Sequence, residues 1–158
     1  MARIGAGLVA GLGAGVVFGT VLAAMQIPMP TGDQPSLMMA VAHALGVERL
    51  LPAWLGHLGI SVVVGALFAA ALGARAADPA VAVGAALALA LGLWVVGALV
   101  IMPVRLGQPP FAPLRSLDGA PVAIGTLLAH LLYGATLGLL VPWLAGRGRR
   151  RAAGAPPA

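Results

Sequence analysis

Apolar residues run almost without interruption through four stretches of the chain: Ile4 to Ile27, about Pro52 to Gly73, about Pro79 to Met102, and about Pro121 to Ala145. Charged side chains are confined to the segments between these stretches and to the two ends. The first stretch holds only Thr20 and Gln26 as polar members, the second His57 and Ser61, the third none, and the fourth Thr126, His130, Tyr133 and Thr136. At about 1.5 Å rise per residue, each can cross a hydrocarbon layer of roughly 30 Å. None shows the period-two polarity of a barrel strand, and in lipid a lone segment satisfies its own amides only as a helix. The pattern therefore predicts an all-α, four-span transmembrane helical bundle over residues 1–146, followed by a basic, disordered cytoplasmic tail over residues 147–158.

The connections carry weaker signals. Between spans one and two, Ser36 to Leu45 reads as a short helix that either lies on the membrane or folds back over the bundle. Gln26 is placed to cap the end of span one. Between spans three and four, Pro103, Pro109, Pro110, Pro113 and Pro121 predict a constrained, extended connection. The first span is too long for the apolar region of a signal peptide and matches a later span, so it reads as a retained helix.

Composition agrees with a bilayer protein: 61% hydrophobic, 8% charged, 23 Gly and no Cys, with mean hydropathy +1.04. The formal charge of +5 comes from Arg alone on the basic side. Arg3, Arg75, Arg147, Arg149, Arg150 and Arg151 fall on one side of the predicted membrane, against Arg49, Arg105 and Arg115 on the other, which predicts cytoplasmic termini and a multi-pass protein of the cell membrane. Trp54 and Trp143 sit at interfacial depth, and Trp94 deeper. The C-terminal Arg cluster suits anionic lipid headgroups; it lacks the aromatic interleaving or folded basic surface of a nucleic-acid site.

The two halves resemble each other. Span one ends Met25-Gln26-Ile27-Pro28 and span three Ile101-Met102-Pro103, while spans two and four each carry one His followed by small residues at four-residue steps: His57, Ser61, Gly65, Ala69, and His130, Gly134, Gly138. With two spans per half, this predicts two parallel helix-pair repeats. Gly7, Gly11, Gly15 and Gly19 form a further ridge of the same spacing, and these stripes (Ser61, Gly65, Gly134 and Gly138 included) are expected to be helix-packing surfaces. Such ridges can act within one chain, between copies in a homo-oligomer, or in a larger membrane complex.

His57 and His130 fall at comparable depths and are the candidate cofactor ligands, for haem b or for a metal ion together with Met25 or Met102. The competing expectation, favoured here, is that each imidazole hydrogen-bonds a facing helix; a place in a substrate or proton path is the third. Met25, Met29, Met38, Met39 and Met102 gather towards one side and read as packing, with copper ligation as the alternative. His43 lies in the first outer loop and closes a site only if that loop folds inward. Ser36, Ser61 and Ser116 are isolated and the Asp residues sit in different loops, so no catalytic constellation is found.

The segment His130 to Gly138, the His57 segment and the Ile101-Met102-Pro103 span end together resemble a family of small four-helix integral membrane proteins to which no activity is assigned. The resemblance covers about Gly5 to Ala145 and implies a fold and a membrane location, with no catalytic residues to carry over. The leading expectation is a structural or accessory membrane protein; a haem-binding electron carrier using His57 and His130 is the alternative, and a small transporter or channel the third.

Overall fold

A computed structural model describes residues 2–26 and 35–153. Among these residues the elements are α1 (Ala2–Ala24), α2 (Leu37–Ala44), α3 (Leu50–Leu72), α4 (Pro79–Leu93), a π-helical continuation (Trp94–Ile101), α5 (Met102–Arg105) and α6 (Ala120–Ala153), with short 3-10 turns at Gly73–Ala77 and Ala112–Leu114. Four segments are long and apolar enough to span a membrane: Arg3–Ala24, Leu50–Ala77, Pro79–Arg105 and Ala120–Arg147. The chain is a multi-pass membrane protein built as an all-α bundle.

Local chemistry sets the element ends. Gly73 ends α3 at φ 54°, a left-handed conformation that suits glycine. Asp78 then caps α4, its carboxylate accepting from the amides of Ala80 (2.9 Å) and Val81 (3.3 Å), with Pro79 in the first turn, where its missing N–H costs nothing. Pro103 has the opposite effect at the far end of the third span. It cannot donate to the Leu99 carbonyl one turn earlier, and the turn before it widens into the π-helix. The released Leu99 carbonyl is not left bare: the Phe111 amide donates to it at 2.6 Å, folding the proline-rich connection back onto the span end. That connection is accordingly compact, with Phe111 at φ 62°.

Small residues face inward and large ones outward. Ala6, Ala10, Ala14, Ala53, Ala69, Ala82, Ala86, Ala90, Ala123 and Ala129 are buried, whereas Leu55, Ile60, Val63, Leu67, Ile124, Leu128 and Leu139 are more than half exposed. Lipid tails are as apolar as leucine, so association rests on how closely backbones approach, and small side chains set that approach. Helix α1 packs closely on both α3 and α6, and α4 closely on α6. Between α3 and α4, the larger side chains Val64, Phe68, Leu72, Leu89 and Leu93 fill the space around buried Tyr133 and Leu137.

Helix α2, capped by Ser36 through the Met39 amide at 3.4 Å, folds back over one end of the bundle rather than lying on the membrane. Its Leu37, Met38 and Ala42 are buried with Leu22, Ala53 and Ala129 from the three helices beneath. Gln26 does not act simply as a cap on span one: its backbone forms an antiparallel bridge with Ser36. Trp54 turns inward against α1. At the other end, α6 carries Pro142 in its interior, yet runs on through Arg147 to Ala153, into the segment expected to be an unstructured tail. Residues 154–158 lie outside the described residues.

Replacing Gly11 by Val is expected to destabilise the protein by about 1–3 kcal/mol, because no nearby atom is the flexible end of a side chain. Gly84→Ala, where nothing lies within 4 Å of an added methyl, should be neutral or mildly stabilising. Reversible unfolding in mixed detergent micelles reads both.

Candidate functional site

Three consecutive turns of α1 carry no side chain towards α3. A methyl built on Gly11 would meet the Ser61 carbonyl, one on Gly15 would lie 2.6 Å from Ser61 Cβ, and one on Gly7 would lie 2.7 Å from Ala69 Cβ. Gly65 answers from α3, its added methyl 2.6 Å from the Gly11 Cα. The same closeness recurs between α4 and α6: a methyl on Gly134 would sit 2.7 Å from the Ala86 carbonyl oxygen, and one on Gly138 2.7 Å from the Val83 Cα. At Gly19 the facing group is aromatic, with Trp54 at 2.5 Å and His57 Cδ2 at 3.1 Å from the missing methyl.

This approach opens the Gly15 carbonyl to the imidazole of His57. His57 is buried, and its Nε2 donates to Gly15 O across the helix pair at 2.9 Å. A carbonyl only accepts, so the proton is assigned to Nε2 and the Nδ1 lone pair is left over. Ser61, one turn along α3, donates its hydroxyl to the His57 carbonyl at 2.9 Å, and the Tyr133 hydroxyl of α6 donates to the Ser61 carbonyl at 3.0 Å. His130 behaves differently from His57. Its Nδ1 donates at 2.7 Å to the Thr126 carbonyl of its own helix, leaving Nε2 as the lone-pair nitrogen.

Phe18 joins the two imidazoles. It projects from α1, the helix that packs against both α3 and α6, with its ring centroid 5.0 Å from His57, 4.6 Å from His130 and 6.1 Å from Tyr133. Trp54 closes the far side of His57 edge-on at 6.2 Å. Towards α4, the Trp94 indole N–H is shared between the Ala123 carbonyl and the Thr126 hydroxyl, each at 3.2 Å. The result is one aromatic and imidazole layer spanning all four long helices. Among the described residues no fully enclosed side-chain nitrogen or oxygen lacks a hydrogen-bond partner.

The layer brings together His57, Ser61 and His130, flanked by Gly15, Gly19 and Gly134; Gly7, Gly11, Gly65 and Gly138 line the helix contacts further along. Phe18, Tyr133 and Trp94 complete it, and none of the three was singled out from sequence as a partner of the histidines. A lone phenylalanine at the end of a glycine ridge was the available signal. A haem between two axial imidazoles needs their lone pairs to face opposite sides of one flat ring. Here a phenyl ring of the chain itself packs on both imidazoles, 5.0 Å from His57 and 4.6 Å from His130. Among the described residues no group of three or more His, Cys, Asp and Glu side chains is placed to hold a metal ion. Met25 packs on Gly125 and Met38 is buried under α2, while Met29 lies outside the described residues. His43 is exposed on α2 although the helix itself folds inward. Away from the layer, the Arg147 guanidinium stacks 3.7 Å over the Trp143 ring, beside a concavity of about 430 Å³ lined by Pro142, Trp143, Gly146 and Arg147.

No protein-family model, curated protein or solved structure matches the chain.

Gly19→Ala should act at a distance on His57, because its methyl displaces the Trp54 ring and crowds the imidazole. We expect a loss of about 1–3 kcal/mol and a blunted additional cost of His57→Ala in the double variant. Unfolding free energies of the two single variants and the double variant measure that coupling.

Proposed function

We propose that this chain is a structural or accessory protein of the cell membrane, whose central layer fixes helix register rather than carrying a cofactor. The observation that carries this reading is the commitment of the polar groups: His57, Ser61, Thr126, His130, Tyr133 and Trp94 each donate to a backbone carbonyl of the bundle. A donor spent on a carbonyl ties or steadies a helix and has no proton left to offer a substrate, while the lone pair each imidazole keeps has the Phe18 ring packed beside it and, among the described residues, no third ligand-type side chain grouped with it. We assign Gly7, Gly11, Gly15, Gly19, Ser61, Gly65, Gly134 and Gly138 to helix packing on the contacts described above.

In the same reading the bundle is a duplicated helix pair with both termini in the cytoplasm, in keeping with its resemblance to small four-helix membrane proteins. Contact register supports the duplication. Setting Pro28 on Pro103 and His57 on His130 makes Gly7 equivalent to Ala82, Gly11 to Ala86, Gly65 to Gly138 and Ser61 to Gly134. The contacts Gly7–Gly65 and Gly11–Ser61 then correspond to Ala82–Gly138 and Ala86–Gly134, pair for pair. The basic end of α6 is assigned to anionic lipid headgroups: Arg147, held flat on Trp143, keeps its guanidinium edges for phosphate, with Arg149, Arg150 and Arg151 following in sequence.

Purification from native membranes should yield a folded protein whose reduced-minus-oxidised absorption spectrum carries no stoichiometric haem signal. A haem signal that vanishes when His57 and His130 are both changed to Ala would overturn the reading in favour of an electron carrier. For topology, reporters fused at either end should both be protected from protease added outside intact cells.

A further inference from the structure

Helix α2 has eight residues, too few to hold helical structure on its own in water, so its order depends on what it docks against. Its underside is seated fully, with Met38 and Ala42 at 0% exposure. The floor on which it rests leads directly to the imidazole layer: Ala53 and Ala129 are completely buried beneath it, Ala129 adjoins His130 in sequence, and Phe18 and Trp54 pack against the same cluster while also touching His57.

Two tethers hold α2 down. At its start, the Leu37 amide donates to the Met25 carbonyl at 2.8 Å, beside the Gln26–Ser36 bridge. At its end, the guanidinium of Arg105, from the short helix α5 that ends the third span, donates through Nε to the Ala44 carbonyl at 2.7 Å. That carbonyl belongs to the negative end of α2, so the contact pairs a fixed positive charge with the helix terminus. Arg105 is also the sole charged side chain between Asp78 and Arg115. This second tether is exposed to solvent, whereas the apolar seat is not.

We propose that α2 is a plug closing one end of the bundle over the His57 and His130 layer, and that Arg105 is the latch holding it shut. The plug rests on the packing of α2 alone and stands whether the layer beneath is purely structural or not. When the latch releases, α2 lifts as a unit, and the first surfaces uncovered are Ala53, Ala129 and the edge of the aromatic layer.

The absence of native cysteine makes the test clean. Single Ala53→Cys and Ala129→Cys variants in lipid nanodiscs are exposed to a charged maleimide, with and without Arg105→Ala. Both positions should label slowly in the native background and about five-fold faster once the latch is lost, the scale expected for one charge at a helix end. Arg105→Lys, which keeps the charge and a donor, should restore most of the slow labelling. Two further cysteines separate opening from general loosening: Leu117→Cys, 92% exposed, should react equally fast in both backgrounds, and Ala10→Cys, buried between α1 and its neighbours away from α2, should stay unreactive in both. Unchanged labelling at Ala53→Cys and Ala129→Cys on loss of Arg105 would overturn the proposal, as would a parallel rise at Ala10→Cys.

Discussion

The contact between the backbones of α1 and α3 is the constraint from which the remaining arrangement follows. In a helix, a carbonyl that already accepts from the amide one turn later still has a second lone pair, but side chains normally shield it from a neighbouring helix. Gly15 and Gly19 remove that shield. With no methyl at either position, α3 comes close enough for His57 to donate to the Gly15 carbonyl, and the Trp54 ring enters the space left at Gly19. Place any larger side chain there and the imidazole loses its acceptor while remaining in a low-dielectric interior, where an unpaired polar group is costly. The glycine ridge is thus the condition for a polar residue to be tolerated at this depth.

The second half uses the same contacts with a different filling. Trp94 opens the π-helical continuation of α4 at the level where α1 has Gly19, and it faces Thr126 of α6, where α3 has Ala53. The bulky indole has moved from the second helix of one pair to the first helix of the other, and His130 turns to its own helix instead of reaching across. Widening of the span after Trp94 into a π-helix accompanies this shift, with Pro103 removing a donor a few residues later. Close packing therefore persists through both pairs, while the imidazole bond that crosses the first pair is replaced in the second by the Trp94 indole, which donates to the Ala123 carbonyl and the Thr126 hydroxyl.

Much of this was legible because lipid imposes a severe filter on sequence. Four apolar helices follow from length and hydropathy alone, and the short helix read over Ser36 to Leu45 is found as α2 from Leu37 to Ala44. What resisted prediction depends on orientation about a helix axis or on bonds between distant segments. Phe18 is one apolar residue among many until α1 is rotated to face both His57 and His130. Phe111 satisfies Leu99 only because the intervening connection folds back, and nothing in the proline spacing specifies that partner. Helix α6 continues past the apolar block because Arg and Ala are good helix formers and a charge cluster, read as the end of a membrane span, need not be the end of a helix.

The polar layer makes more sense as a device of register than as a reservoir of energy. Interhelical hydrogen bonds in lipid contribute about 0.6 kcal/mol each on average, so these bonds add little beside the van der Waals contact of the close-packed faces. Their placement is more informative than their strength. His57 to Gly15 ties α3 to α1, Tyr133 to Ser61 ties α6 to α3, and Trp94 to Thr126 ties the third span to α6, while Phe18 on His130 joins α1 to α6. Each of these interfaces carries such a contact, and along α6 they are spread from Thr126 through His130 to Tyr133, about two helical turns. A slip of one helical turn, about 5.4 Å, would keep apolar side chains against apolar side chains and so be opposed only weakly by burial. It would, however, leave a donor without its carbonyl and drive a side chain into a glycine notch. Four smooth helices rich in Ala, Leu and Val have many near-equivalent registers, and one polar or aromatic tie at each of these interfaces, set among notches of matching spacing, selects a single one.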